Sequence, residues 1–142
     1  MRRVHVTQEY AASRQQVFAY LSDHENLGPL LGADITRVRE GSDGPNGVGS
    51  VRSIKVGPLP PFEETNVEVV PDALIRYRIT KGGVLKDHEG VMTFADTPGG
   101  GCRFAWTITF DGKVPGVGAA VAAGLTRSIS KGLPAVDDLA RR

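Results

Sequence analysis

Cysteine is nearly missing from this chain. Cys102 is the only one, so no internal disulfide forms and no cysteine-based metal cluster assembles. An excess of charge of one sign is missing too: 17 basic and 16 acidic residues leave a formal net charge of +1. That balance offers no basic footprint for nucleic acid and no field to steer an acidic substrate. Arg2, Arg3, Arg141 and Arg142 read as solvated termini. No apolar run approaches the roughly 18 residues of a membrane span, and no apolar signal core precedes the first charged and polar residues. The expectation is a cytoplasmic protein in a reducing compartment, without a nucleic-acid partner and without stable membrane insertion. A length of 142 residues suits a single domain, residues 1–142, with one core.

What is present begins with the last stretch. Val117, Val121, Leu125, Ile129, Leu133, Val136 and Ala140 recur at steps of four and three, one stripe of an α-helix running from about Pro115 to Arg141. If continuous, it spans roughly 40 Å at about 1.5 Å per residue and needs a large partner. Its first half is slim, with Gly116, Gly118, Ala119, Ala120, Ala122, Ala123 and Gly124. Pro134 requires a bend. Small side chains there either leave space for a ligand or permit close backbone packing, while Leu125, Ile129 and Leu133 plug the far end.

The partner is legible as alternation. Val4, Val6 and Tyr10 share one parity in a strand from about Arg3 to Tyr10. Ser13 with Gln16 makes a capping box for a short helix carrying Val17, Phe18 and Leu21. Residues Asp23 to Leu31 read as a second short helix or turn broken by Gly28 and Pro29. A weak strand, Ile35 to Arg39, leads into the glycine-rich stretch Gly41 to Gly49. No helix follows to supply aligned amides, so this stretch reads as a hairpin connection rather than a phosphate cradle. Further strands are Val48 to Val56, Glu63 to Val70 with Thr65, Val67 and Val69 inward, Leu74 to Thr80, Lys86 to Ala95, and Cys102 to Phe110. The last carries the strongest inward ladder: Cys102, Phe104, Trp106, Ile108 and Phe110.

A strand, two short helices, a run of six strands and a long terminal helix resemble the START or Bet v 1-like helix-grip superfamily. In particular they resemble its bacterial SRPBCC branch, named after polyketide cyclases and lipid transport. The residues that carry the resemblance are Ala12 to Asp23 with Glu25, Asn26 and Leu27, Gly47 to Arg52, Leu74 to Tyr77, Lys86 to Gly90, and Gly101 to Trp106. The resemblance implies an α+β helix-grip fold, with a curved seven-stranded antiparallel sheet around the C-terminal helix and a cavity between them. It does not choose a function, because the superfamily spans lipid and sterol carriers, hormone receptors, aromatic cyclases, oxygenase domains and chaperone co-activators.

In that fold the inward ladders supply a candidate ligand-binding lining: Ile54, Val67, Val69, Ile75, Tyr77, Met92, Phe94, Phe104, Trp106 and Ile108 from the sheet, with Val117, Ala120, Val121 and Leu125 from the helix. The same residues would equally fill a solid core. Leu59, Pro60, Phe62, Val84, Leu85, Val114 and Val117 are apolar at loop positions, as an entry mouth or a homodimer contact requires. Polar candidates are few. His88 shares parity with Met92 and Phe94, Tyr77 brings a hydroxyl, and Arg52 brings a charge that Glu63 or Glu64 can balance or an anionic head group can use. Glu63, Glu64, Glu68, Asp87 and Glu89 read as solvent-side, although an inward carboxylate would serve as a base. His5, His24 and His88 lie on separate elements, so neither a metal site nor another cofactor is expected.

The first functional reading is a carrier or sensor of a lipid-like or polyketide-like hydrophobic small molecule. The second is a polyketide aromatase or cyclase of cyclase/dehydratase type, using His88, Tyr77 or Arg52. A protein-interaction module using the apolar mouth is the third. The absence of a second evident catalytic group favours the carrier.

Overall fold

The computed structural model describes residues 1–142. Strand β1 (Arg2–Tyr10) is followed by helices α1 (Arg14–Leu21) and α2 (His24–Leu31), then strands β2 (Asp34–Arg39), β3 (Val51–Lys55), β4 (Phe62–Val70), β5 (Leu74–Gly82), β6 (Leu85–Asp96) and β7 (Cys102–Gly112). Helix α3 (Val117–Gly132), a 3₁₀ turn (Leu133–Ala135) and helix α4 (Val136–Ala140) close the chain. The strands form one antiparallel sheet in the order β1-β7-β6-β5-β4-β3-β2. This is the helix-grip arrangement expected. No helix is long and apolar enough to cross a membrane.

Local chemistry explains the boundaries. The Ser13 side chain accepts from the Gln16 amide while the Gln16 side chain accepts from the Ser13 amide, the reciprocal cap that starts α1. Asp23 caps α2, which runs through Gly28 and Pro29 instead of breaking there and stops at Gly32, held at φ 65°. Pro134 does not end the terminal helix. It tightens one turn to 3₁₀ geometry, and α4 continues beyond it. That turn is tied to the sheet by the Tyr10 hydroxyl, which donates to the Leu133 carbonyl at 2.8 Å. Residues 41–49 connect β2 to β3, which pair with each other.

The interior has two unlike halves. Towards α1 and α4 it is solid: Phe94 meets Phe18 edge-on at 5.1 Å between ring centroids and Phe104 at 5.2 Å, and Ile129, Leu133 and Val136 are fully enclosed. Towards β2, β3 and the β5–β6 loop it is hollow. Among the register shifts of the ladder, two stand near the polar residues of that hollow end. One is a bulge in β4 between Asn66 and Glu68, and the other is a register shift in β6 between Lys86 and Glu89, with Asp87 at φ 53°.

Candidate functional site

A cavity of about 410 Å³ lies between the sheet and α3, within the range of small-molecule sites. Eighteen of its 24 lining residues are hydrophobic, so its chemistry is set by the few polar side chains that break the surface: Arg52, Glu64, Tyr77, His88 and Ser128. Ile54, Phe62, Trp106 and Ile108 line it from the sheet, and Val117, Ala120, Val121, Gly124 and Leu125 from α3. The slim half of the helix thus faces the hollow, and Leu59, Pro60, Val84 and Leu85 also line it, Leu59 exposed and Leu85 buried. Val114 is exposed and takes no part.

Several residues expected at the wall lie elsewhere. Val67 is 39% exposed because it is the extra residue of the β4 bulge, and Val69, which pairs with Ile75 beyond the bulge, is half-buried but stands outside the cavity lining. Asn66, at 2% exposure, takes the inward place. Ile75, Met92, Phe94 and Phe104 are buried but belong to the solid half. Glu64, read as a solvent-side residue, is 7% exposed. Leu27, Leu31, Ala33, Ile35, Val56 and Ile79 also line the cavity. Ile35 and Val56 were recognisable only as strand residues, and Leu27 and Leu31 only once α2 is known to cover the open side.

The polar wall is organised by Arg52, 3% exposed. Its Nε and Nη2 both donate to Glu64 Oε1, at 3.0 and 2.7 Å, and its Nη1 donates to Asn66 Oδ1 at 3.1 Å and to His24 Nε2 at 3.2 Å. The guanidinium also lies 4.7 Å from the centroid of the Tyr77 ring. Tyr77 is anchored in turn, because the Trp106 Nε1–H donates to its hydroxyl at 2.9 Å. Burial, with Glu64 adding to it, pushes the Tyr77 phenol far above its ordinary range, so it stays protonated.

His88 reaches the site through the β6 irregularity. The β5–β6 ladder stops at Tyr77 and Gly90, and beyond it the Ile79 amide donates at 3.0 Å to His88 Nδ1 instead of to a strand carbonyl. This bond leaves the ring proton on Nε2, which faces Glu64 Oε2 at 3.7 Å. His24 arrives from the start of α2, also against Arg52, with its Nδ1 buried and unpartnered. His5 stays apart on β1, bonded to the Thr107 hydroxyl at 2.8 Å. Histidines that are far apart in sequence thus share one buried ion pair.

Both inner imidazoles are held neutral. Burial, then the charges of Arg52 and Arg37, push His24 down to about 3, and burial also lowers His88 against the opposing pull of Glu64. An unfolded imidazole gains its proton near pH 6.5, whereas the folded His24 resists until about pH 3. Its contribution to stability is therefore complete above pH 6.5 and is lost as pH falls towards 3, at up to about 1.4 kcal/mol per pH unit. Urea unfolding is expected to show a loss of roughly 2 kcal/mol between pH 7.5 and 5 from His24 alone. His24→Gln should flatten that dependence, and an unchanged slope would contradict the assignment.

Comparison with known proteins locates this arrangement. A family model described as polyketide cyclase/dehydrase and lipid transport matches residues 1–141. No curated protein matches the sequence. Among solved structures, the Zhui aromatase/cyclase from Streptomyces sp. R1128 is similar at a TM-score of 0.77 and 19% identity, over 99% of this chain and 94% of that one. Truncated norcoclaurine synthase from Thalictrum flavum is similar at 0.64 and 19%, over 92% and 91%. The Aha1 dimer from Colwellia psychrerythraea is similar at 0.70 and 13%, over 97% and 95%. At these identities the likeness is one of fold.

Proposed function

We propose, from the premise that this chain belongs to the polyketide cyclase/dehydrase and lipid transport family, that it binds a hydrophobic small molecule in the hollow between α3 and the sheet. The observation that carries this reading is the cavity itself, about 410 Å³ and overwhelmingly apolar. At about 25 cal/mol per Å² of apolar surface removed from water, burial would dominate the affinity of a lipid-like or polycyclic guest. Native mass spectrometry of the purified protein should find such a guest retained. Nile red, a neutral apolar dye, should brighten on binding and perturb the emission of Trp106, the sole tryptophan and a cavity residue. No change in either signal over a wide concentration range would count against the reading.

A second reading, an aromatase or cyclase acting on a folded polyketone, is favoured by one feature: Arg52, Glu64, Tyr77 and His88 all reach the cavity surface at one place. A neutral imidazole beside a carboxylate can pass a proton to and from a ketone or enol, and the Tyr77 hydroxyl can hold the carbonyl oxygen. On that reading His88→Ala removes turnover of a poly-β-ketone and leaves its binding intact. Equal loss of both would make His88 a wall residue. The apolar lining residues Leu59, Pro60 and Val84 suit guest entry and also a homodimer contact.

A further inference from the structure

The hydrogen-bond inventory of the polar wall narrows the guest, on the reading that the cavity is a guest site. Glu64 Oε1 is saturated by two bonds from Arg52, but Glu64 Oε2 has no hydrogen-bond partner in the protein. His88 Nδ1 is saturated by the Ile79 amide, but His88 Nε2 has no such partner either. These two atoms, an acceptor and a donor, stand 3.7 Å apart on side chains that line the cavity. The gap is too wide for a direct bond, yet one oxygen fits about 2.8 Å from each. Only a group that donates and accepts at the same atom satisfies both.

We propose that the guest is a neutral hydrophobic molecule bearing a hydroxyl, as an alcohol, a phenol or an enol, whose oxygen bridges Glu64 Oε2 and His88 Nε2. Charge excludes the obvious competitors. Arg52 is already neutralised by Glu64 and bonded to His24 and Asn66, so a carboxylate or phosphate guest would bring a second anion against Glu64 with no cation left to meet it. A ketone or ether accepts from His88 but leaves Glu64 Oε2 facing a lone pair. A hydrocarbon leaves both groups desolvated and unpaired, which is the costly outcome.

Titration calorimetry of the full chain at pH 7.5 with naphthalene, 2-methoxynaphthalene, 2-naphthol and 2-naphthoate tests this. The expected result is that 2-naphthol binds about tenfold more tightly than the ether and the hydrocarbon, as one added charge-assisted hydrogen bond implies, and that 2-naphthoate binds weakest. Glu64→Gln leaves Arg52 without its counter-ion and should raise 2-naphthoate above 2-naphthol. His88→Leu removes one of the two bonds to the hydroxyl and spares the one to Glu64 Oε2, so it should narrow the lead of 2-naphthol over naphthalene without abolishing it, and an unchanged lead overturns the inference. If Glu64→Gln does not fold, the native series and His88→Leu decide. Equal affinities among the probes that bind, or preference of the native protein for 2-naphthoate, overturn the inference and leave the guest cavity standing. Failure of all four to bind, naphthalene included, overturns the cavity reading and this inference with it.

Discussion

Arg52→Met is expected to lower the stability of the fold by about 3–5 kcal/mol, because it strands a buried carboxylate without its counter-ion. Arg52 and Glu64 are 3% and 7% exposed, and no other cation bonds Glu64 Oε1. His24 Nε2 and Asn66 Oδ1 lose their donor in the same substitution, so three inward polar atoms are orphaned together. For a chain of this size the loss corresponds to a fall in melting temperature of roughly 10 °C or more. A buried ion pair is itself weak evidence of stabilisation. The double variant Arg52→Met, Glu64→Leu should therefore regain part of the loss, with the remainder marking His24 and Asn66. Thermal unfolding of the single and double variants checks both statements. A single variant within about 1 kcal/mol of the native protein would mean that Glu64 finds water or a proton instead.

Gly90→Ala is expected to be nearly as damaging, through the shape of the site. Gly90 pairs with Tyr77 across β5 and β6, and a Cβ at residue 90 would stand 2.0 Å from Tyr77 Cζ and 2.4 Å from its hydroxyl oxygen. No relaxation of a few tenths of an ångström absorbs that overlap, so the ring must leave. It would take with it the bond from Trp106 Nε1 and the face over which Arg52 lies. Overpacking of this kind costs on the order of 3 kcal/mol. Because Tyr77 and Trp106 both line the cavity, guest affinity should fall by at least about tenfold as well. Urea unfolding and Nile red titration of Gly90→Ala measure the two effects. Retention of native stability and affinity would show that the ring is not fixed as described.

These two sites also mark where the sequence was informative and where it fell silent. Strict alternation from Cys102 to Phe110 survives intact in β7, whose inward residues Cys102, Phe104, Trp106, Ile108 and Phe110 are all buried, because nothing interrupts the pleat there. The terminal stripe is legible for the same reason: Ile129, Leu133 and Val136 are enclosed despite the change to 3₁₀ geometry at Pro134. In β4, by contrast, Thr65, Val67 and Val69 look like an inward ladder. One bulged residue after Asn66 sends Val67 outward, and bulges leave no dependable mark in composition. Parity placed Arg52 correctly among inward residues, and the need to balance it pointed to Glu63 or Glu64; pairing across β3 and β4 selects Glu64. His24 was out of reach, because its role depends on how α2 packs over the sheet, which no local pattern encodes. The division of the interior into solid and hollow halves was equally hidden. Met92 and Phe94 share the inward face with His88, and only the packing of α1 against Phe94 shows which half each one fills.

The account turns on a hollow that receives a guest beneath α3. Gly124 faces that hollow, and a Cβ there meets nothing within 4 Å. Gly124→Phe would fill the space with an aromatic ring while removing a glycine from a helix interior, a change worth roughly 0.5 kcal/mol in helix propensity at the backbone. The decisive measurement is the Nile red affinity of Gly124→Phe against that of the native protein, with melting temperature recorded alongside. The account predicts an affinity at least about tenfold weaker at undiminished stability. An unchanged affinity in a folded variant would place the dye on the surface and contradict the cavity as the binding site.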